Sequence, residues 1–144
     1  MPLTPEEIRQ HLGLEPHPEG GAYVQTFRDN ENGWPVGGRG HSTAIYFLLE
    51  KDEVSAWHRV KDAAEVWHWY GGAPLLLTIA AEGGAHETHR LGLDLANGER
   101  PQAIVPAGLW QTARSTGDWT LVGCTVAPGF EFAQFELAEP GWEP

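Results

Sequence analysis

The sequence predicts an all-β domain, a sandwich or barrel, with one short helix at its N-terminal end. Three observations predict it. About nine segments with strand character follow one another at a spacing of roughly 8–12 residues, the pattern of antiparallel sheets joined by turns. Glycine (18) and proline (11) are frequent enough in 144 residues to supply those turns. Only one segment has helical character, so there is no strand–helix alternation from which a parallel α/β sheet could be built.

The helix is predicted over residues 3–13. Thr4 caps it, Pro5 takes the first helical position, Glu7 closes a capping box with Thr4, and Gly13 supplies a left-handed C-terminal cap. Ile8 and Leu12 give it one narrow apolar stripe, so it must pack on something larger. Strands are predicted over residues 22–28, 42–49, 54–60, 65–70, 74–80, 87–94, 102–105, 119–126 and 130–137, with a polar, glycine-rich loop over 29–40. Residues 42–49 are apolar on both faces and need cover on both sides. A short polar turn between 54–60 and 65–70 predicts an antiparallel pair. Asn97-Gly98 is a hairpin dipeptide between 87–94 and 102–105. Pro106-Ala-Gly108 is a turn that delivers Gln111 to the start of a following strand. Residues 139–144 read as a loose tail.

Charge and cysteine content narrow the function classes. Nine basic against twenty acidic residues give a net charge of −11, which argues against nucleic acid or an anionic membrane surface as the main partner. Cys124 is the single cysteine, so no intrachain disulfide forms, and a reducing cytoplasm is the expected location. No apolar run approaches the roughly 18 residues of a membrane-spanning helix, and the N-terminus lacks the pattern of a signal peptide. The length fits one domain.

Two clusters could carry chemistry. The first places His58 and Glu65 on consecutive strands; such a pair can act as acid and base, share a divalent metal ion, or be a hydrogen-bonded core pair. The second is Pro106-x-Gly108-x-x-Gln111, where the glutamine is a hydrogen-bond anchor, an oxygen ligand or part of a structural turn. Alternation along the strands then sets the facing residues. With His58 inward, Ala56 and Val60 follow it; with Glu65 inward, Trp67 and Trp69 follow, and Val66, His68 and Tyr70 face away. Trp67 is a pocket wall or plain core, and Tyr23 and Tyr46 are phenols at a pocket mouth or packing residues. Arg28 and Arg59 read a carboxylate or phosphate, or form surface ion pairs. His17 is expected as a turn residue and Cys124 as a small core residue.

Together the clusters resemble the two motifs of the cupin superfamily. His58 to Glu65 has the spacing of the first motif's leading His to its Glu, the family's second His falls on Val60, and Gln111 stands where the second motif has His. The resemblance extends along nearly the whole chain to the function-unknown cupin family five. It is carried by Leu14-Glu-Pro-His-Pro-Glu-Gly-Gly-Ala-Tyr-Val-Gln-Thr-Phe-Arg28, Ser42-Thr-Ala-Ile-Tyr-Phe-Leu-Leu49, Trp57-His-Arg59, Glu65-Val-Trp67, Val105-Pro-Ala-Gly-Leu-Trp-Gln111 and Ala127-Pro-Gly-Phe-Glu-Phe132. The resemblance implies a single jelly-roll barrel over residues 14–138, usually a homodimer, and no settled reaction. More distantly, Glu19-Gly-Gly21-Ala-Tyr23 through Phe27 is similar to a strand of the metal-free dTDP-sugar epimerase cupins. Those enzymes carry a base His where His58 falls, which implies proton abstraction next to a carbonyl.

Three functions follow as expectations. The first is an isomerase or epimerase on a carbohydrate-like or nucleotide-sugar substrate, with His58 as base and Glu65 beside it. The second is a metal cupin in which His58, Glu65 and Gln111 hold one divalent ion together with water. The third is a small-ligand binding protein without turnover, in which Gln111, Trp67, Tyr23, Arg28, Arg59 and Tyr46 make the contacts.

Overall fold

A computed structural model describes residues 3–29 and 39–144; most of the predicted loop, residues 30–38, lies outside the described residues. Helix α1 (Pro5–Leu12) forms as its caps dictate. The Thr4 hydroxyl accepts the Glu7 N–H at 3.2 Å, the Glu7 carboxylate accepts the Thr4 N–H at 3.3 Å, and Gly13 closes the helix in the left-handed region at φ 69°. Ile8 is its buried residue. The helix packs on the strand over Ser42–Glu50, where Arg9 pairs with Glu50, and so supplies part of the cover that this two-faced strand needs.

Eleven antiparallel strands among the described residues form two sheets. The first runs β1 (Glu15–Pro16), β2 (Ala22–Asp29), β3 (Ser42–Glu50), β10 (Trp119–Ala127), β5 (Ala64–Gly72) and β8 (Gln102–Val105). The second runs β11 (Phe135–Leu137), β4 (Val54–Val60), β9 (Trp110–Ser115), β6 (Leu75–Ala80) and β7 (Glu87–Leu91). Most connections cross from one sheet to the other, which wraps the chain into a jelly-roll barrel. The inner faces meet in a core of Phe47, Leu49, Trp67, Leu75, Leu77, Leu91, Val105 and Val122. Each such side chain gains about 1.5–3 kcal/mol from burial, which is what fixes the inward phase of every strand.

Four expectations change here. Residues 54–60 and 65–70 are strands but not a pair: β4 lies between β11 and β9, and β5 between β10 and β8. His58 and Glu65 therefore approach across the barrel rather than along a ladder, because each strand faces inward from a different sheet. Asn97-Gly98 ends a 3-10 turn (Leu95–Asn97) instead of closing a hairpin. The Glu99 carboxylate holds that crossover, accepting the Asp94 N–H at 3.1 Å and Arg90 Nε at 3.0 Å, while β7 and β8 pair into separate sheets. The predicted strand over 130–137 is a 3-10 turn (Phe132–Gln134) followed by the short β11. The strand that begins near Gln111 is β9, central to the second sheet. Residues 139–144 lie on the outer face of that sheet, with the Trp142 ring 4.6 Å from that of Trp110. No helix among the described residues is long and apolar enough to cross a membrane.

Candidate active site

The strand register lays out the floor of a cavity inside the barrel. Thr43, Val126 and Glu65 stand in one row across β3, β10 and β5; Gln25, Ile45, Cys124 and Trp67 form the next row across β2, β3, β10 and β5. From the second sheet, β4 presents His58 and Val60 toward this floor, and Phe130, Phe132 and Phe135 close one side. The three phenyl rings pack edge to face with centroids 4.9–5.8 Å apart. The cavity opens to solvent on one side, and its volume is about 280 Å³.

Two local features build the polar end. The first is a bulge in β4 between Ser55 and His58, which turns both side chains inward although they are three positions apart. Ala56, expected inward by strict alternation, is exposed because of it. Its freed backbone is used: the Ala56 N–H donates to the Glu19 carbonyl at 2.7 Å, and the Ala56 carbonyl lies 2.7 Å from His58 Nδ1. The second feature is the loop before β2. Gly20 and Gly21 adopt φ 108° and 78°, and a side chain at Gly20 would strike the Val54 carbonyl. Only glycine lets this loop close over β4 and carry Glu19 into the barrel.

Glu19 is the hub of the site. Its Oε2 lies 3.0 Å from His58 Nδ1 and accepts the Ser55 hydroxyl, while Oε1 lies 3.2 Å from His17 Nε2. The Glu19 N–H donates to His17 Nδ1 at 3.1 Å, so the His17 proton sits on Nε2 and points at the carboxylate. Glu65 is held from behind: Gln111 Nε2 donates to its Oε1 at 2.8 Å, and Trp67 Nε1 donates to Gln111 Oε1 at 2.8 Å.

These contacts set the charges. Burial alone would lower the pKa of His58, but the charge and hydrogen bond of Glu19, with the charge of Glu65, raise it to about 9. Burial would raise Glu19, and the charge of His58 more than reverses that, leaving the carboxylate below its ordinary range. Glu65 is raised by burial and by the Glu19 charge against the opposing pull of His58. Burial holds His17 below its ordinary value, in the neutral form its tautomer requires. At neutral pH the dyad is thus an imidazolium on a carboxylate. His58 Nδ1 is engaged, which leaves Nε2 for a bound molecule.

The structure brings some expected residues together and separates others. His58, Glu65 and Tyr23 line the cavity. Gln111 and Trp67, 0% and 1% exposed, form the layer behind Glu65 and do not line it. Arg28 ties down the segment before β11, donating to the Phe130 carbonyl at 2.9 Å and to Glu131 at 3.1 Å. Arg59 pairs with Glu136 at 2.8 Å and lies over the Trp110 ring, away from the cavity. Tyr46 is on the opposite face of the first sheet, edge-on to Tyr70. His17 is a partner of the buried carboxylate rather than a plain turn residue.

The expected metal set does not fit. Both ends of the Gln111 amide are engaged, by Trp67 and by Glu65, and the His58 Nδ1 is engaged by Glu19. Among the described residues no three His, Cys, Asp or Glu side chains stand where they could share a metal ion.

Glu19, His17, Ser55 and the phenylalanine wall were not foreseen as site residues. The Glu19-Gly-Gly21 segment was the available signal, since paired glycines mark a loop that must approach another backbone closely.

Comparison with known proteins agrees with the fold. The family model described as "Cupin superfamily (DUF985)" matches residues 6–138. The crystal structure of protein SO0799 from Shewanella oneidensis superposes with a TM-score of 0.89 at 39% identity, covering 96% of this chain and 86% of that one. The uncharacterized protein YML079W of Saccharomyces cerevisiae is 28% identical over 92% of this chain and 75% of its own length. A dTDP sugar isomerase from Desulfovibrio desulfuricans G20 shares the fold with a TM-score of 0.60 at 13% identity, over 68% of this chain and 64% of that one. The chain, a jelly-roll barrel with a histidine–carboxylate dyad in its cavity, belongs to the DUF985 family of the cupin superfamily.

Proposed function

We propose that the protein is an acid–base enzyme of the isomerase or epimerase type, acting on a small carbohydrate-like carbonyl compound. The observation that carries this reading is the contact of 3.0 Å between His58 Nδ1 and buried Glu19 at the wall of a ligand-sized cavity. A buried carboxylate that fixes one ring nitrogen presents the other in a set orientation, the arrangement proton transfer needs. The fold shared with a dTDP sugar isomerase supports the reading.

The charges assign the roles. His58 starts as an imidazolium, so it serves as the proton donor and not as the base that the sequence resemblance implied. Its Nε2–H protonates the substrate carbonyl oxygen. Glu65, raised by burial and lining the same cavity, takes the proton from the adjacent carbon in its ionised form. The product of these two transfers is an enediol. Glu65 then delivers its proton to the former carbonyl carbon, while the hydroxyl on the carbon that lost its C–H gives its proton to the now neutral His58, which leaves the carbonyl moved by one carbon and both groups reset.

The test is solvent deuterium uptake at substrate carbon, followed by proton NMR over a panel of aldoses and ketoses. His58→Gln and Glu65→Gln should each slow uptake by about 10²–10⁴-fold. Uptake in His58→Gln equal to that of the parent would overturn the reading.

We further propose a cytoplasmic homodimer. Tyr46, His68, Tyr70 and Ile104 make an aromatic and apolar patch on the outer face of the first sheet, with Tyr70 and Ile104 52% and 62% exposed. A second copy of the chain is the occupant this reading assigns to it. Sedimentation equilibrium should give a dimer for the parent and a monomer for Ile104→Lys; a monomeric parent contradicts the assignment.

A further inference from the structure

No lysine or arginine lines the cavity among the described residues. Its charged groups are already engaged with one another: the His58 ring with Glu19 at 3.0 Å, and Glu19 in turn with His17 at 3.2 Å. The arginines that could have read an anion are committed elsewhere, Arg28 to Glu131 and Arg59 to Glu136. A phosphate brought into this space would leave water to face two carboxyl groups, with the His58 ring, already paired with Glu19, as its one cationic partner among the lining residues, a transfer that is unfavourable. Size points the same way. The volume of about 280 Å³ accommodates a single hydroxylated ring. The walls are two-sided. His58, Glu65 and Thr43 offer polar atoms, whereas Phe135, Val60 and Val126 offer only apolar surface. A ring with hydroxyls on its edge and C–H bonds on its face matches both.

We infer that the substrate is an uncharged monosaccharide-sized polyhydroxy carbonyl compound, neither phosphorylated nor nucleotide-linked. This rests on the acid–base reading of the cavity and departs from the nucleotide-sugar expectation raised by the epimerase resemblance. It makes the site a rejector of anions as much as an acceptor of sugars. An uncharged ligand meets His58 Nε2 without changing the charge of the dyad, while an anion there would add a third acidic group beside Glu19 and Glu65.

The experiment uses the 144-residue parent chain and matched probes: free hexoses and pentoses, the same sugars as monophosphates, and their UDP-linked forms. Binding is read from saturation-transfer NMR and from shifts of the His58 ring signals, assigned with His58→Gln. At least one free sugar is expected to bind and move the His58 signals, at least about tenfold more tightly than its phosphorylated counterparts. A second variant, Gln25→Arg at the exposed cavity rim, should narrow that gap by giving an anion a partner. Tighter binding of the monophosphates or UDP-sugars by the parent overturns the inference, and so does failure of every free sugar to bind. Binding of free sugars without solvent deuterium uptake upholds the charge preference and overturns the catalytic reading, so the two fail separately.

Discussion

At the scale of single residues, the site is a short chain of hydrogen bonds with different jobs at each end. Trp67 and Gln111 touch no ligand space; they hold the Glu65 carboxyl from behind. Gln111→Leu removes an amide that satisfies two buried groups, the Trp67 N–H and one Glu65 oxygen. Each group left unpaired costs about 1–3 kcal/mol, so urea unfolding should show a loss of roughly 2–6 kcal/mol. A loss under 1 kcal/mol, about the worth of one ordinary hydrogen bond, would mean the bridge is not formed. His58, Glu65 and Gln111 were legible in the sequence because their residue types and spacing matched a known motif. Glu19 was not, since nothing in the chain announces that the loop before β2 folds back to meet β4. The role of Gln111 was half legible: the anchor was expected, but its partner is Glu65 itself and not a ligand.

At the scale of elements, the bulge in β4 and the glycine loop make the dyad together. Gly20→Ala puts a methyl group against the Val54 carbonyl at a φ of 108°, where side chains are strained. A cost of about 1–3 kcal/mol is expected, and Glu19 should draw back from His58. A melting curve and the His58 ring signals check both effects; unchanged His58 signals would show that the loop does not position Glu19. The existence of the strands was legible because two-residue alternation and turn residues are local signals. Their pairing was not. The turn between β4 and β5 looks like a hairpin in sequence, yet each strand finds better partners in opposite sheets, and the buried Ala63 lies in the crossing. Asn97-Gly98 failed for a related reason: the Glu99 carboxylate organises the loop through hydrogen bonds that a dipeptide rule does not contain. The bulge at Ala56 was equally hidden, since strict alternation assumes an unbroken ladder.

At the scale of the whole molecule, the buried charges tie stability to pH. His58 has a folded pKa of about 9, raised above its ordinary 6.5, so its contribution is complete below pH 6.5 and is lost as pH rises through 9. For a fully buried group the difference amounts to roughly 3 kcal/mol. Glu65, a carboxyl raised by burial, acts in the same sense, because the folded state holds its proton more tightly. Glu19, lowered by His58, acts oppositely and costs stability as pH falls through the carboxylate range. Urea unfolding should therefore show greater stability near pH 6.5 than above pH 9, with a flatter dependence in Glu19→Gln; an equal slope in that variant would assign the alkaline loss to other groups. The His58 and Glu19 effects trace to a single ion pair inside the barrel, and one measurement addresses it directly: the NMR titration of the His58 ring in the parent and in Glu19→Gln. The account predicts a midpoint near 9 in the parent, and in the variant a fall toward 6.5, with only the Glu65 charge and the Ala56 carbonyl left to oppose burial. A parent midpoint at or below 6.5 would contradict it, because His58 would then be neutral at rest and could not be the resting proton donor.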